Sequence, residues 1–199
     1  MSSTPATAQT ASETTPPQYL RARLNARLQP LHRGELFEDP LDDALGRAAL
    51  GRVSGGGTAQ GEEGEVEWCD IEIAVNGDTA DKVAPIIAEL ERLGAPNGSS
   101  LIIESERREV PFGTLEGLAI YLNGTELPDE VYADCDINVV YDELQRLIEG
   151  QGQIFSYWQG PTETALYLYG TSHDRMRESI SDFLGNYPLC QRCRLERIA

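Results

Sequence analysis

Cys190 and Cys193, spaced as Cys-x-x-Cys, are the residues whose spacing comes nearest to reactive chemistry. Such a pair can form half of a zinc site or cycle through a disulfide. A structural zinc site wants a second close pair, whereas Cys69 and Cys135 are isolated singles. A redox pair wants a helix N-terminus that lowers a thiol pKa, and this one falls where a helix gives way to a strand. The thiols are therefore read as reduced and metal-free, and no cofactor is expected.

The other candidates are weaker. Neither His32 nor His173 has a serine or cysteine nucleophile placed beside it by a motif, and there is no G-x-S-x-G elbow. His173-Asp174 opens a helix, where an acid in the first turn is favourable. Gly55-Gly56-Gly57-Thr58 lacks the lysine of a phosphate loop. The Gly61-Glu62-Glu63-Gly64 that follows would repel phosphate, so the glycines read as a hairpin or bulge. Asp134-Cys135-Asp136-Ile137-Asn138 starts like a calcium loop, but a β-branched run stands where that loop needs glycine. No catalytic residue and no metal ligand is expected, and the chain reads as a non-enzyme.

Charge says more. The 199 residues include 33 acids and 16 bases, for a net charge of −17. All but one of the bases are arginine, which fits a GC-rich bacterial genome. Gly34 to Gln191 holds 31 acids and 9 bases, while Arg21, Arg23, Arg27 and Arg33 form a local basic stretch. Nucleic acid is excluded as the default partner, because phosphate binding needs clustered lysine and arginine. Leu101-Ile102-Ile103 and similar runs are too short to cross a bilayer, so no membrane partner is expected. Residues 1–18 are rich in Ser, Thr, Ala and Pro and read as a disordered tail. They lack the basic start and apolar run of a signal peptide, which points to the cytoplasm.

These residues need elements to position them. Leu20, Leu24, Leu28 and Leu31 recur at helical spacing, which predicts a basic amphipathic helix over 19–33 that ends near Pro30. Asp39-Pro40 predicts the N-cap and first position of a second helix, and Arg52 to Thr58 a strand. Cys69-Asp70-Ile71-Glu72-Ile73-Ala74-Val75 recurs as Cys135-Asp136-Ile137-Asn138-Val139-Val140-Tyr141. A helix bearing Glu-Leu-x-Arg-Leu follows each, closed by Gly94 or Gly150, and then two strands. The fold expected is α+β and internally duplicated. It comprises two ferredoxin-like modules, 34–126 and 127–199, with antiparallel sheets and helices on one face. The first is permuted, αββαββ followed by βαββαβ.

Strand alternation then assigns faces. Asp70 and Glu72 in one copy, and Asp134 and Asp136 in the other, project from open sheet faces. Tyr157, Tyr167 and Tyr169 add aromatic anchors of the kind that dominate protein interfaces. These seven residues are the predicted partner-binding set. The function expected is a non-catalytic acidic bacterial protein that binds a basic protein partner. Its most concrete form is an immunity or inhibitor protein for a toxin such as a nuclease, where opposite charge speeds association. The alternative is a small-molecule-binding sensor or regulatory protein with its ligand site between the modules. A homodimer is also compatible with the basic segment.

Overall fold

From Leu20 to Leu28 every second residue is apolar, and Leu20, Ala22, Leu24, Ala26 and Leu28 are all fully buried. In the computed structural model, which describes residues 18–199, this stretch is extended. Gln18–Leu24 is a strand, β1. It pairs antiparallel with β3 (Val66–Val75) on one side and β4 (Ser99–Ile103) on the other. This corrects the helix expected over 19–33. A leucine every four residues satisfies a period of two as well as a helical one, and the intervening alanines decide between them. Leu31, expected on the buried stripe, is 66% exposed. The expected tail lies outside the described residues, apart from Gln18.

After the extended segment come α1 (Pro30–Arg33), a π-helical turn (Gly34–Glu38) and α2 (Asp39–Arg47). The chain is already helical before Asp39, so Asp39 is not an N-cap. Then follow β2 (Gly51–Gln60), β3, α3 (Val83–Arg92), β4 and β5 (Arg108–Phe112). The second half runs β6 (Glu116–Asn123), α4 (Asp129–Asp134), α5 (Ile137–Leu147), β7 (Gly152–Gln159), β8 (Glu163–Gly170), α6 (His173–Asn186) and β9 (Arg194–Arg197).

The strand order is β2-β3-β1-β4-β5 in one sheet and β7-β8-β6-β9 in the other. All strand pairs are antiparallel. Setting aside the extra edge strand β5, both halves have the same βαββαβ order and the same sheet order. The chain is thus an α+β protein of two ferredoxin-like modules, and neither needs permutation.

Two modules are present as expected, but the repeated segments of the sequence do not relate them. The third strand of the first module, β3, corresponds to β8 of the second. Cys135–Tyr141 is not a strand: Cys135 and Asp136 link α4 to α5, and Ile137 starts α5. The Asp136 carboxylate accepts the Asn138 amide at 2.8 Å and caps that helix. Val140, Leu144 and Ile148, at spacings of four, point into the core. Ile137 and Val139 stay partly in solvent. The matching heptapeptides of the sequence therefore occupy different places in the two modules.

In the second module Leu118, Ile120, Leu122, Leu166 and Leu168 pack with Met176, Ile180 and Leu184 of α6 and with the buried side of α5. The other face of this sheet carries Ala119, Tyr121, Ala165, Tyr167 and Tyr169, joined by Phe155 and Trp158. It belongs to the same buried cluster as Leu24, Leu28 and Phe37 of the first module. Phe37 meets Phe155 edge-on at 6.1 Å, and Phe155 lies 4.8 Å from Tyr169. The extended Asn25–Gln29 segment runs along this junction, where the Arg27 amide donates to the Tyr169 hydroxyl at 2.9 Å. The link between the modules is pinned as well. Gly113 has a positive φ, and a Cβ there would overlap the Pro96 carbonyl. No helix among the described residues is long and apolar enough to cross a membrane.

Candidate functional site

A cleft of about 810 Å³ opens where the first module's α1 and π-helical turn meet the second module's edge strand β7 and helix α5. This is within the size range of small-molecule sites. One wall is His32, Glu35 and Leu36 from the first module. The floor comes from β7, β8 and β6, with Ile154, Phe155, Leu166 and Leu122. The opposite wall is the start of α5, with Ile137, Asn138 and Tyr141, and Tyr132 of α4. Gln153, Gln159 and Thr164 add polar groups. A register shift between Ile154 and Ser156 bulges β7 at this point. It sends Ser156 under the first module while Tyr157 stays 45% exposed at the cleft.

Ser156 is buried beneath this wall. Its hydroxyl accepts the Gln29 amide at 3.2 Å and lies 2.8 Å from His32 Nδ1. Sequence motifs did not place a serine beside either histidine, yet the fold does. The hydroxyl can donate to Nδ1 or accept from it while holding the Gln29 amide, so in either tautomer the contact anchors the ring. The ring meets Tyr157 edge-on at 5.7 Å. Among the described residues no carboxylate hydrogen-bonds to His32, and the serine, though it borders the cleft, is only 3% exposed. The pair thus fixes the orientation of a cleft-lining ring and lacks the accessible nucleophile of a triad. His173, at the start of α6, instead contacts Asp174 at 3.0 Å.

The cleft continues into a shallower recess beside Asp134, Cys135 and Asp136, which shares Tyr132, Ile137 and Leu189 with it. Glu35, Asp134 and Asp136 are exposed and form no ion pair among the described residues. No lysine or arginine lines either space.

The seven predicted partner-binding residues do not converge. Asp70 and Glu72 lie on the open face of the first sheet. Asp70 is nearly buried between two arginines, with Arg23 Nε at 3.2 Å and Arg21 Nη1 at 3.9 Å. Glu72 is exposed opposite Arg21. Asp134 and Asp136 stand at the mouth of the recess in the second module. Tyr157 lines the cleft. Tyr167 and Tyr169 are fully buried between the modules, so they present no surface anchor. They alternate correctly on their strand, but the face they share is covered by the other module.

Comparisons with known proteins add chain-trace likenesses only. No protein-family model matches this chain, and no curated protein matches it. Among solved structures it is similar to a protein assigned as a monooxygenase from Fusobacterium nucleatum. That likeness has 8% identity and a TM-score of 0.32, over 92% of this chain and 91% of that one. It is also similar to the regulatory subunit of aspartate kinase from Thermus thermophilus, at 13% identity and a TM-score of 0.25, over 83% and 92%. A third is the first two RRM domains of a yeast poly(U)-binding protein, at 10% identity and a TM-score of 0.24, over 92% and 99%. Superpositions of this quality carry no functional argument.

Two further groups account for residues that the sequence singled out. Glu65, in the β2–β3 hairpin, accepts hydrogen bonds from the Tyr121 and Tyr167 hydroxyls, each at 2.6 Å, and pairs with Arg27. Burial opposes its charge. The two phenol hydrogen bonds and then Arg27 outweigh that cost and hold its carboxyl below the usual range. Burial and then the Glu65 hydrogen bond push both phenols well above theirs. This cluster joins the first module to the second. Burial also pushes the Cys69 and Cys190 thiols up to about 12, which makes them inert at neutral pH. Among the described residues no group of three or more His, Cys, Asp or Glu is arranged to hold a metal ion.

Proposed function

We propose that this protein is a binding protein that takes a small, largely apolar molecule in the cleft between its two modules, as a sensor or regulator would. The cleft itself carries the reading: a space of about 810 Å³ with apolar and aromatic walls and a few polar side chains. It gathers exposed apolar surface. Ile137, Tyr141 and Tyr157 are among the few large hydrophobic side chains left substantially exposed, and all three line it. Clustered exposure of this kind favours a binding role over chance. Because one wall belongs to the first module and the others to the second, a ligand here would also report on how the modules sit together.

Titration with the uncharged dye Nile red tests this. Its emission should rise and shift to the blue with the intact protein. Ile137→Arg and Tyr157→Arg, both at exposed positions, should abolish the response. A response that survives both substitutions, or that never occurs, would remove the cleft as the site.

A second reading keeps the charge in view: a basic protein partner, as an immunity-type inhibitor would have. Its support is the unpaired exposed pair Asp134 and Asp136 beside exposed Ile137, Val139 and Tyr141, an acidic and apolar surface in one place. Asp134→Arg should then abolish co-purification of a basic partner from the native host while leaving the Nile red response intact.

A further inference from the structure

We infer that the cleft selects for a cationic ligand: a small molecule with an apolar body and an ammonium-type head. This deepens the small-molecule reading above and rests on it. Three independent features of the site point the same way.

The first is aromatic. Tyr132, Tyr141 and Tyr157 all line the cleft, from three different elements, together with Phe155. Rings whose faces are negative attract a desolvated cation, and several around one space form the arrangement that recognises alkylated ammonium groups. Tyr141 and Tyr157 retain 39% and 45% exposure, so part of each ring is free to meet a ligand.

The second is the sign of the rim. Glu35 stands on the first-module wall, and Asp134 and Asp136 flank the adjoining recess. None has an ion-pair partner among the described residues, in contrast to Asp70, Glu65 and Glu38, which are all matched by arginines. The third is an absence of competitors. The 16 basic residues of the chain contribute no side chain to the cleft or the recess. An anion entering here would lose hydration, meet carboxylates and ring faces, and find only His32 and uncharged amides and hydroxyls as side-chain donors. With a net charge of −17 behind it, the same site attracts a cation from solution.

Three matched probes isolate the charge. (3-Hydroxyphenyl)trimethylammonium, 3-tert-butylphenol and 3-hydroxybenzenesulfonate share one ring and differ in a head group of similar shape that is positive, neutral or negative. Binding is read by calorimetry and by chemical-shift changes in the full chain. The ammonium should bind about tenfold tighter than the tert-butyl compound, and the sulfonate weakest of all. Glu35→Gln should weaken the ammonium several-fold and leave the neutral probe unchanged, and Tyr157→Leu should weaken the ammonium more than the neutral probe. Equal binding of the ammonium and tert-butyl probes, or tighter binding of the sulfonate, would overturn the charge selectivity while leaving the cleft as a small-molecule site. No binding by any probe, together with no Nile red response, would overturn both.

Discussion

In the first sheet, the face turned away from the helices carries Arg21, Arg23, Asp70 and Glu72 and remains at the surface. In the second, the equivalent face carries Ala119, Tyr121, Ala165, Tyr167 and Tyr169 and is covered by the other module. Strand order and direction are the same in both, so the difference is chemical. On the open face, charges are matched across strands: Arg23 bonds Asp70 and also lies over the Trp68 ring at 3.9 Å. On the covered face, the phenol hydroxyls and the Ser156 hydroxyl each find a partner. Tyr169 accepts the Arg27 amide, and Tyr121 and Tyr167 donate to Glu65. One topology thus makes two kinds of surface, and the side chains between the core positions decide which is buried.

The comparison breaks most severely at β1. This strand is central in the first sheet, and its extension runs along the second sheet's covered face, so removing residues 1–29 should abolish cooperative unfolding in urea altogether. A truncated chain that unfolds with a normal sharp transition would show that the modules do not depend on this shared segment. A smaller but still large effect is expected from Phe155→Ala, which removes the ring that both Phe37 and Tyr169 pack against. Its cost should be about 3–5 kcal/mol by chemical denaturation, the usual range for a buried phenylalanine.

The Glu65 cluster gives the comparison a pH signature. Because the folded-state pKa of Glu65 is depressed, its stabilisation is fully present above the unfolded value of about 4.3. It is lost as pH falls through the lower folded value. The two phenols are raised, so their contribution is lost as pH climbs above about 10. Thermal melts of Glu65→Gln across pH should therefore lack part of the acid limb seen in the parent. Identical acid limbs would mean that the cluster does not hold the junction. The smallest effect should come from the open face. Trp68→Ala should cost less than about 1 kcal/mol, since it loses mainly a partly exposed cation–π contact. A loss as large as that of Phe155→Ala would erase the distinction between the two faces.

Much of the secondary structure was legible because single residues settle it locally. Ser172 caps α6 and Gly94 follows α3, as their types suggest. The strands β2 and β3 fall over Arg52–Thr58 and Cys69–Val75, as the sequence led one to expect. Two segments misled for definable reasons. In β1, a leucine every four residues fits both periods, and the alanines that break the tie are weak signals of burial. In Cys135–Tyr141, β-branched residues imitate a strand, while the helix is set by the Asp136 cap and by Val140, Leu144 and Ile148 facing the core. Tyr167 and Tyr169 misled on a different level. Alternation correctly put Tyr167 and Tyr169 on one face, but no local pattern says that another module covers it.

The sequence by itself determined the class of fold, the order of most elements and the acidic balance. These depend on residue type and short-range periodicity, which act within a few positions of the chain. Only the tertiary structure decided which sheet face is sealed, that Ser156 lies against His32 across 124 residues of chain, and that a cleft opens between α1 and β7. Those outcomes depend on how two folded modules meet, and the free energy of that contact is spread over residues far apart in sequence.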